Sequence, residues 1–325
     1  MQSRTEIGHT ARFTVASPSL ANNTADVERL KYALCREFGI DAIRIPFEIV
    51  RRLPDRLKQW NHDVKAAVFK TYDGWELLDL KSGTSTAPFV GAAADIGTTR
   101  IVLRLVNLET GERLAETGFD NPQAAIGPDI LTRIHYAGTG RGLEALQEMI
   151  ITGMNGQIAD LCRQAGITKD DVCILAAAGN TSMTHLFLGL EPAGIIREPY
   201  IPCVNTPDLI EARKIGINIG QTARVFLFPN IGSYFGGDLV AGILYSGLDR
   251  MEETSIMVDV GTNAEVVVGN AEMMIACAGA AGPALEGGIS DIGMTAAPGV
   301  IDRVTYDPDT GNLVFHTIED RPAAG

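Results

Sequence analysis

The chain has 325 residues, of which 46% are hydrophobic and 6% aromatic, and its formal net charge is −13. This length allows two or three domains with buried cores. The acidic balance argues against nucleic acid or an anionic membrane as partner, because both attract Lys and Arg. There is neither an apolar run of about 18 residues, as a membrane span requires, nor a signal-peptide pattern at the N-terminus.

The five cysteines are scattered and form no C-x-x-C pair. This spacing argues against a zinc site or an iron–sulfur cluster built from this chain alone. An odd, scattered set favours reduced thiols in a cytoplasmic protein. The cysteines are Cys35, Cys162, Cys173, Cys203 and Cys277.

Residues 1–85 predict a small α/β domain. Its predicted elements are, in chain order, a strand at Arg12–Ala16, a helix ending at Phe38, a second helix after Pro46, and a hairpin of Val64–Tyr72 with Trp75–Leu80. Asn23 or Thr24 is expected to cap the first helix, because short polar side chains satisfy free helical N–H groups. Small and polar residues at 82–88 indicate a linker.

Residues 86–325 show a longer alternation of strands and helices. The predicted elements are, in chain order, strands at Val90–Ala94 and Arg100–Asn107, helices near 129–136 and 142–165, strands at Val172–Ala177 and Arg224–Leu227, a helix at Gly237–Gly247, a strand at Glu265–Val268, and a hairpin around 308–311. This order is typical of an α/β protein.

One turn pattern occurs twice, each time directly after an apolar strand. The first copy is Asp95-Ile96-Gly97-Thr98-Thr99 and the second is Asp259-Val260-Gly261-Thr262-Asn263. The copies lie too far apart for a solenoid repeat. Their separation favours two similar domains that face each other across a cleft.

The turn chemistry suits a nucleotide triphosphate. Glycine lets the backbone approach the phosphates, and the N–H groups and Thr hydroxyls of the turn can donate to phosphate oxygens. An Asp at the strand end can hold Mg²⁺ through water. Asp95 and Asp259 are therefore the predicted catalytic and metal-binding residues, and Asp259 is the candidate for orienting the attacking water, with Mg²⁺ coordination equally open. The sequence has no G-x-x-x-x-G-K-S/T motif, which excludes a P-loop.

Further candidates lie outside these turns. Asn180 and Thr181 follow a buried strand, where α/β sheets place ligands, although a helix cap is an equal alternative for Asn180. Gly279 and Gly282 are predicted to contact nucleotide, whereas the glycine-rich segment 230–238 is predicted to serve close packing. His185 lies within a helix, and packing is favoured there over catalysis.

Residues 90–300 resemble the ATPase core of the reductive activators of corrinoid-dependent enzymes, and residues 12–85 resemble the small middle domain of the same activators. The likeness of residues 12–85 to the middle domain rests on Asp26, Arg29-Leu30 and Leu53-Pro54. The motifs that carry the likeness of residues 90–300 are the two Asp-x-Gly-Thr turns, Gly179–Leu186, Pro199–Pro202, Pro229–Gly232, Gly236–Asp238, Ala281–Gly288 and Ala296–Gly299.

This resemblance implies an actin/Hsp70-like (ribonuclease H-like) ATPase core at 86–325, incomplete at its C-terminus and preceded by the small α/β domain. It also implies an ATPase-type activator that uses ATP and Mg²⁺ to drive reduction of Co(II) corrinoid proteins to Co(I). The implied partners are a corrinoid protein and an iron–sulfur electron donor, whose cluster is expected outside this chain, and a homodimer is left open. Ala264 and Thr295 stand where the family pattern has Gly and Arg.

The implied site comprises the nucleotide-binding residues Asp95, Gly97, Thr98, Thr99, Asn180, Thr181, Asp259, Gly261, Thr262, Asn263, Gly279 and Gly282. Two other functions are compatible with the same turns. One is a small-molecule kinase of the same superfamily, and the other is a non-catalytic module that binds a partner.

Overall fold

The computed structural model describes residues 7–261, 263–280, 294, 296–308 and 310–324. Contacts within the chain divide it into two compact units, Met1–Val240 and Ala241–Gly325. Among the helices of the described residues, none is long and apolar enough to cross a membrane.

The first unit begins with a four-stranded sheet covered by three short helices, in the strand order β1-β3-β4-β2. The elements are β1 (Gly8–Thr14), α1 (Asp26–Phe38), β2 (Ile43–Arg44), α2 (Phe47–Val50), α3 (Leu53–Gln59), β3 (Asp63–Thr71) and β4 (Gly74–Ser82). The predicted hairpin is confirmed, since β3 and β4 pair antiparallel down to Thr71 and Gly74. Leu30 and Leu34 of α1 are fully buried in the core of this α/β module.

The predicted cap of α1 is wrong. The capping residue is Ala25, which makes no side-chain cap hydrogen bond, and neither Asn23 nor Thr24 takes that place. Asp26 and Glu28 lie in the first turn instead, where negative charge is favourable near the positive end of the helix dipole. Asp26 also pairs with Arg29.

The larger part of the first unit is a six-stranded mixed sheet in the order β7-β6-β5-β8-β10-β9. Its elements are β5 (Val90–Ile96), β6 (Arg100–Asn107), β7 (Arg113–Asp120), α4 (Ile130–Ala137), α5 (Gly142–Ala165), β8 (Val172–Ala178), α6 (Thr181–Leu188), β9 (Ile210–Glu211) and β10 (Arg224–Leu227). Strand β8 runs parallel to β5 and to β10. Alternate residues of the sheet and the apolar positions of α5 and α6 form one core.

The small module packs against this sheet through apolar and charged contacts. Phe69 and Leu78 bury their side chains together with Phe89 and Ile174. The carboxylate of Glu76 accepts a hydrogen bond from Nε of Arg224 at 2.7 Å, and both side chains are only 5% exposed. Lys65–Glu109 and Lys81–Asp171 ion pairs lie at the same boundary, at 2.9 and 2.7 Å.

The boundary between the two units falls within helix α7 (Gly237–Ser246). Strands β11 (Ser255–Val260), β12 (Asn263–Gly269) and β13 (Met274–Ala280) form an antiparallel sheet. Strands β14 (Ile301–Asp307) and β15 (Asn312–Thr317) pair antiparallel, which confirms the hairpin predicted around 308–311.

Candidate phosphate-binding site

The first Asp-x-Gly-Thr turn joins β5 to β6. Asp95 is exposed at the penultimate position of β5, whereas Thr98 is only 4% exposed. A Cβ on Gly97 would lie 2.4 Å from the carbonyl oxygen of Arg100, so a side chain at this position would force the turn open. The turn therefore presents an exposed carboxylate beside a tightly folded backbone.

The end of β8 brings Asn180 to this turn. The parallel register pairs Asp95 with Ala178, two residues before Asn180. The Nδ2 group of Asn180 donates to Oγ1 of Thr98 at 3.1 Å, and its Oδ1 accepts from the N–H of Met183 at 2.9 Å. Asn180 therefore caps α6, as one alternative predicted, and it lies beside the first Asp-x-Gly-Thr turn. Its contact with nucleotide stays a prediction.

Thr181 supports the site from behind. Its side chain is buried, and its hydroxyl donates to the carbonyl of Gly232 at 2.9 Å. This bond ties the start of α6 to the glycine-rich segment 230–238. The geometry gives Thr181 a supporting position, and its contact with nucleotide stays a prediction.

The packing role predicted for the glycine-rich segment is confirmed. A Cβ on Gly236 would lie 2.3 Å from Cα of Asn180, and one on Gly237 would lie 2.6 Å from the carbonyl oxygen of Phe228. The absence of side chains at these positions lets the segment lie directly against the residue that contacts Thr98.

His185 is a structural residue, as the packing interpretation predicted. Its ring is fully buried, Nδ1 lies 2.7 Å from the carbonyl oxygen of Thr181, and Nε2 accepts from the N–H of Cys203 at 3.0 Å. These partners require a neutral ring with the proton on Nδ1. Burial lowers the pKa of His185 below its usual 6.5, despite the raising effect of the Thr181 carbonyl.

The buried, neutral His185 predicts a pH-dependent stability. Because the unfolded state takes up a proton below about pH 6.5 and the folded state resists it, the free energy of unfolding should fall as the pH drops from 7.5 to 5.5. The contribution of one such group is at most about 1.4 kcal/mol per pH unit. Urea unfolding of the wild type and His185→Gln at both pH values measures it. The variant should be less stable at pH 7.5 and lose less on acidification.

His135 is exposed and provides the matched control. The His135→Gln variant should keep the wild-type difference between the two pH values. An equal difference in His185→Gln and wild type would contradict a neutral, proton-resisting His185.

Asn121, which the sequence had not indicated as a site residue, contacts the same turn. Its Nδ2 donates to the carbonyl of Gly97 at 2.9 Å, and its backbone N–H donates to the carbonyl of Thr99 at 2.8 Å. The available signal was the Asn-Pro pair directly after β7, which is typical of a chain that turns at a strand end.

The second Asp-x-Gly-Thr turn also lies between two paired strands, in the second unit. Strands β11 and β12 are antiparallel, Asp259 is exposed at the penultimate position of β11, and Val260 pairs with Ala264. The first turn closes between Ile96 and Ile101, so the second is one residue shorter. Burial, and then the neighbouring charge of Asp259, raises the pKa of Glu265.

Other residues predicted for this second site can be located only in part. Gly261 and Gly279 are exposed, and Asn263 begins β12. Thr262 and Gly282 lie outside the described residues, as does Thr295. That the two turns face a common cleft stays a prediction.

The carboxylate at the first turn has the chemistry of a ligand for Mg²⁺ that is carried by a nucleotide. In the part of the chain that the structure describes, no group of three or more His, Cys, Asp or Glu side chains could hold a metal ion. Mg²⁺ bound with a nucleotide takes one or two protein carboxylates and completes its shell with phosphate and water. The exposed Asp95 carboxylate at the turn is a suitable ligand of that kind.

Family models match the chain over three consecutive segments. The RACo linker region matches residues 9–87, the RACo middle region matches 90–251, and the C-terminal domain of RACo, the ASKHA domain, matches 253–325. Together they extend from β1 to the end of the described chain.

Curated relatives and a solved structure agree with these models. The corrinoid activation enzyme RamQ of Eubacterium limosum is 33% identical over 247 residues, covering 75% of this chain and 41% of the relative. A Co(II) methylated amine-specific corrinoid protein reductase of Methanosarcina barkeri is 31% identical over 229 residues, covering 65% and 40%. A solved reductive activator for a corrinoid, iron–sulfur protein matches with a TM-score of 0.80 and 33% identity, covering 99% of this chain and 52% of that one.

The chain thus spans about half, or less, of the length of the relatives it matches. The expected fold class is confirmed, because a small α/β region precedes a mixed α/β core whose C-terminal part matches the ASKHA domain. Three adjoining family models and a matching structure along the whole chain lead to one assignment: the chain belongs to the RACo family of reductive activators of corrinoid proteins.

Proposed function

We propose that this chain is the nucleotide-handling part of an ATP-dependent activator that reduces a Co(II) corrinoid protein to Co(I). The observation that carries the proposal is the turn after β5, where the exposed Asp95 lies beside Gly97 and a Thr98 hydroxyl bonded to Asn180. Such a turn offers backbone and hydroxyl groups to phosphate oxygens and a carboxylate to their Mg²⁺.

Each residue at the turn has a distinct role in this proposal. Asp95 holds the hydrated Mg²⁺, which neutralises charge on the phosphates. Gly97 lets the backbone approach the phosphate oxygens, and Thr98 and Thr99 provide donors. Asn180 orients the hydroxyl of Thr98, because its amide donates to that oxygen and leaves the hydroxyl proton for another acceptor.

We also assign nucleotide binding to Asp259, Gly261, Thr262 and Asn263, from the sequence pattern that they share with the first turn. Asp259 orients the attacking water or shares the Mg²⁺. The exposed position of Asp259 at a second hairpin turn supports this assignment. The transferred electron comes from an iron–sulfur donor outside this chain. The reaction takes place in the cytoplasm.

ATP can assist reduction only if its binding or hydrolysis depends on the state of the corrinoid partner, because a ligand shifts an equilibrium only by its differential affinity for two states. The proposed function therefore predicts that phosphate release by the complete activator, this chain with the remaining family domains, rises when a Co(II) corrinoid protein is added. The Co(I) form should have a smaller effect. Phosphate release measured anaerobically against both cobalt states tests this.

The same assay separates the alternatives. Sugars and short carboxylic acids are included as candidate phosphate acceptors. Phosphorylation of a small molecule, with no response to the corrinoid protein, would replace the proposal with a kinase. Binding of the corrinoid protein without any ATP hydrolysis would replace it with a non-catalytic partner module.

A further inference from the structure

The connection between β7 and α4 contains a buried side chain that bonds to the phosphate turn. Asn121 is 1% exposed and makes two hydrogen bonds to the turn, from Nδ2 to the Gly97 carbonyl at 2.9 Å and from its N–H to the Thr99 carbonyl at 2.8 Å. We infer that Asn121 is a positioning residue that orients the peptide groups of this turn toward the bound phosphates. This inference rests on the proposed function.

Because of peptide geometry, these two bonds also fix the direction of the N–H groups that follow the bonded carbonyls. In a trans peptide the C=O and the following N–H point in opposite directions. With the Gly97 carbonyl held toward Asn121, the N–H of Thr98 points away from Asn121. The Thr99 carbonyl fixes the N–H of Arg100 in the same way. The side chain of Asn121 thereby determines the direction of the Thr98 N–H, and its backbone N–H determines that of Arg100.

Asn121 itself is firmly held. Its Oδ1 accepts from the N–H of Gln123 at 3.0 Å, and Nε2 of Gln123 donates to the carbonyl of Leu146 on α5 at 2.9 Å. The fully buried Arg133 of α4 donates from Nε to the Gly127 carbonyl at 2.8 Å. These bonds anchor the connection that carries Asn121 to two helices.

The turn needs such an anchor because glycine gives it conformational freedom. Gly97 has no Cβ to restrict its dihedral angles. Preorganised donors matter most where charge develops during the reaction, since they require no rearrangement at that moment. Loss of the Asn121 amide would leave the turn folded but free to reorient its N–H groups.

Amide hydrogen exchange of the full chain without nucleotide tests this orientation. Asn121→Ala should accelerate exchange in peptides covering the Thr98 amide by about tenfold, the effect of losing one buried hydrogen bond. The Arg100 amide should change less, because the bond to the Thr99 carbonyl comes from the backbone N–H of residue 121, which the variant keeps. Exchange in β3 and β4 should not change. Asn155→Ala is the matched control, because Asn155 likewise bridges two backbone groups, donating to Gly216 and accepting from Asn218 at 2.8 Å each.

Asn121→Asp tests the pH dependence of hydrogen exchange at the turn, which a purely structural role of Asn121 would not change. A protonated Asp can still donate to the Gly97 carbonyl, whereas an ionised one cannot. Exchange at the turn, relative to wild type at the same pH, should therefore increase as the pH rises through the pKa of the introduced carboxyl. The Asn155→Asp variant should show no such trend at the turn.

Steady-state hydrolysis of Mg²⁺-ATP measures the effect of the variant on activity. Asn121→Ala should lower kcat more than it raises KM, because the oriented donors act mainly in the transition state. Unchanged exchange at the turn, or faster exchange spread evenly over the first unit, would overturn the inference. If the wild type neither binds nor hydrolyses Mg²⁺-ATP, the proposed function fails, while the exchange and pH results still decide whether Asn121 orients the turn.

Discussion

Replacing Asp95 with asparagine should lower the rate of ATP hydrolysis about 100-fold or more. The variant keeps the size of the side chain and removes its charge, so the turn should stay folded while Mg²⁺ loses its carboxylate. Metal stabilisation of transition-state charge is worth several kcal/mol, and each 1.36 kcal/mol corresponds to a tenfold change in rate. Calorimetry with Mg²⁺-ATP and a phosphate-release assay measure both parts of the effect.

Asp170 offers a matched control for this experiment. It is an exposed carboxylate of the first unit that lies just before the start of β8, whereas Asp95 pairs with Ala178 at the other end of that strand. Asp170→Asn should therefore retain wild-type affinity and rate. Equal affinity and rate in Asp95→Asn and wild type would remove Asp95 from the site.

Replacing Glu76 with alanine should destabilise the first unit by about 3–5 kcal/mol, the usual cost of removing one partner of a buried ion pair. The guanidinium of Arg224, 5% exposed, would lose the carboxylate that neutralises it inside the protein. The lost contact joins the small module to β10, so the two parts should also separate more readily. Urea unfolding followed by circular dichroism gives the change in free energy.

Two controls identify burial as the cause. Glu144 forms an ion pair with Arg141 in which both side chains are well exposed, and Glu144→Ala should change stability by less than about 0.5 kcal/mol. Combining Glu76→Met with Arg224→Met removes both charges and should recover most of the loss. A double variant as unstable as Glu76→Ala would show that the buried charge is not the source of the effect.

The small module was predicted as a domain joined to the core by a linker, but sequence alone did not indicate how closely the two would pack. The ion pairs of Glu76, Lys65 and Lys81 with the larger part of the first unit are made across that boundary. Buried charges of opposite sign require a close fit, because each is costly to desolvate without its partner. The structure therefore places the module directly against the sheet whose strands carry the first Asp-x-Gly-Thr turn.

Local chemistry explains why much of the candidate site was predictable from sequence. Asp95, Gly97 and Thr98 are neighbours in the chain, and glycine after an apolar strand indicates a tight turn whatever the rest of the fold does. Asn180 follows β8 directly, where a polar residue caps the next helix and lies at the ligand-binding edge of the sheet. Hydrophobic periodicity similarly determined most helices and strands, while the cap of α1 was missed because a short polar residue near a helix start need not be the capping one.

Only the tertiary structure decided which distant residues meet. Asn121 and Gly97 are 24 positions apart, and Glu76 and Arg224 are 148 apart. Their contacts depend on strand order, register and the packing of one module on another. Residue periodicity predicts the elements but does not predict which distant elements pair. The sequence by itself therefore determined which side chains the first Asp-x-Gly-Thr turn presents, whereas long-range packing decided which side chains hold that turn in place.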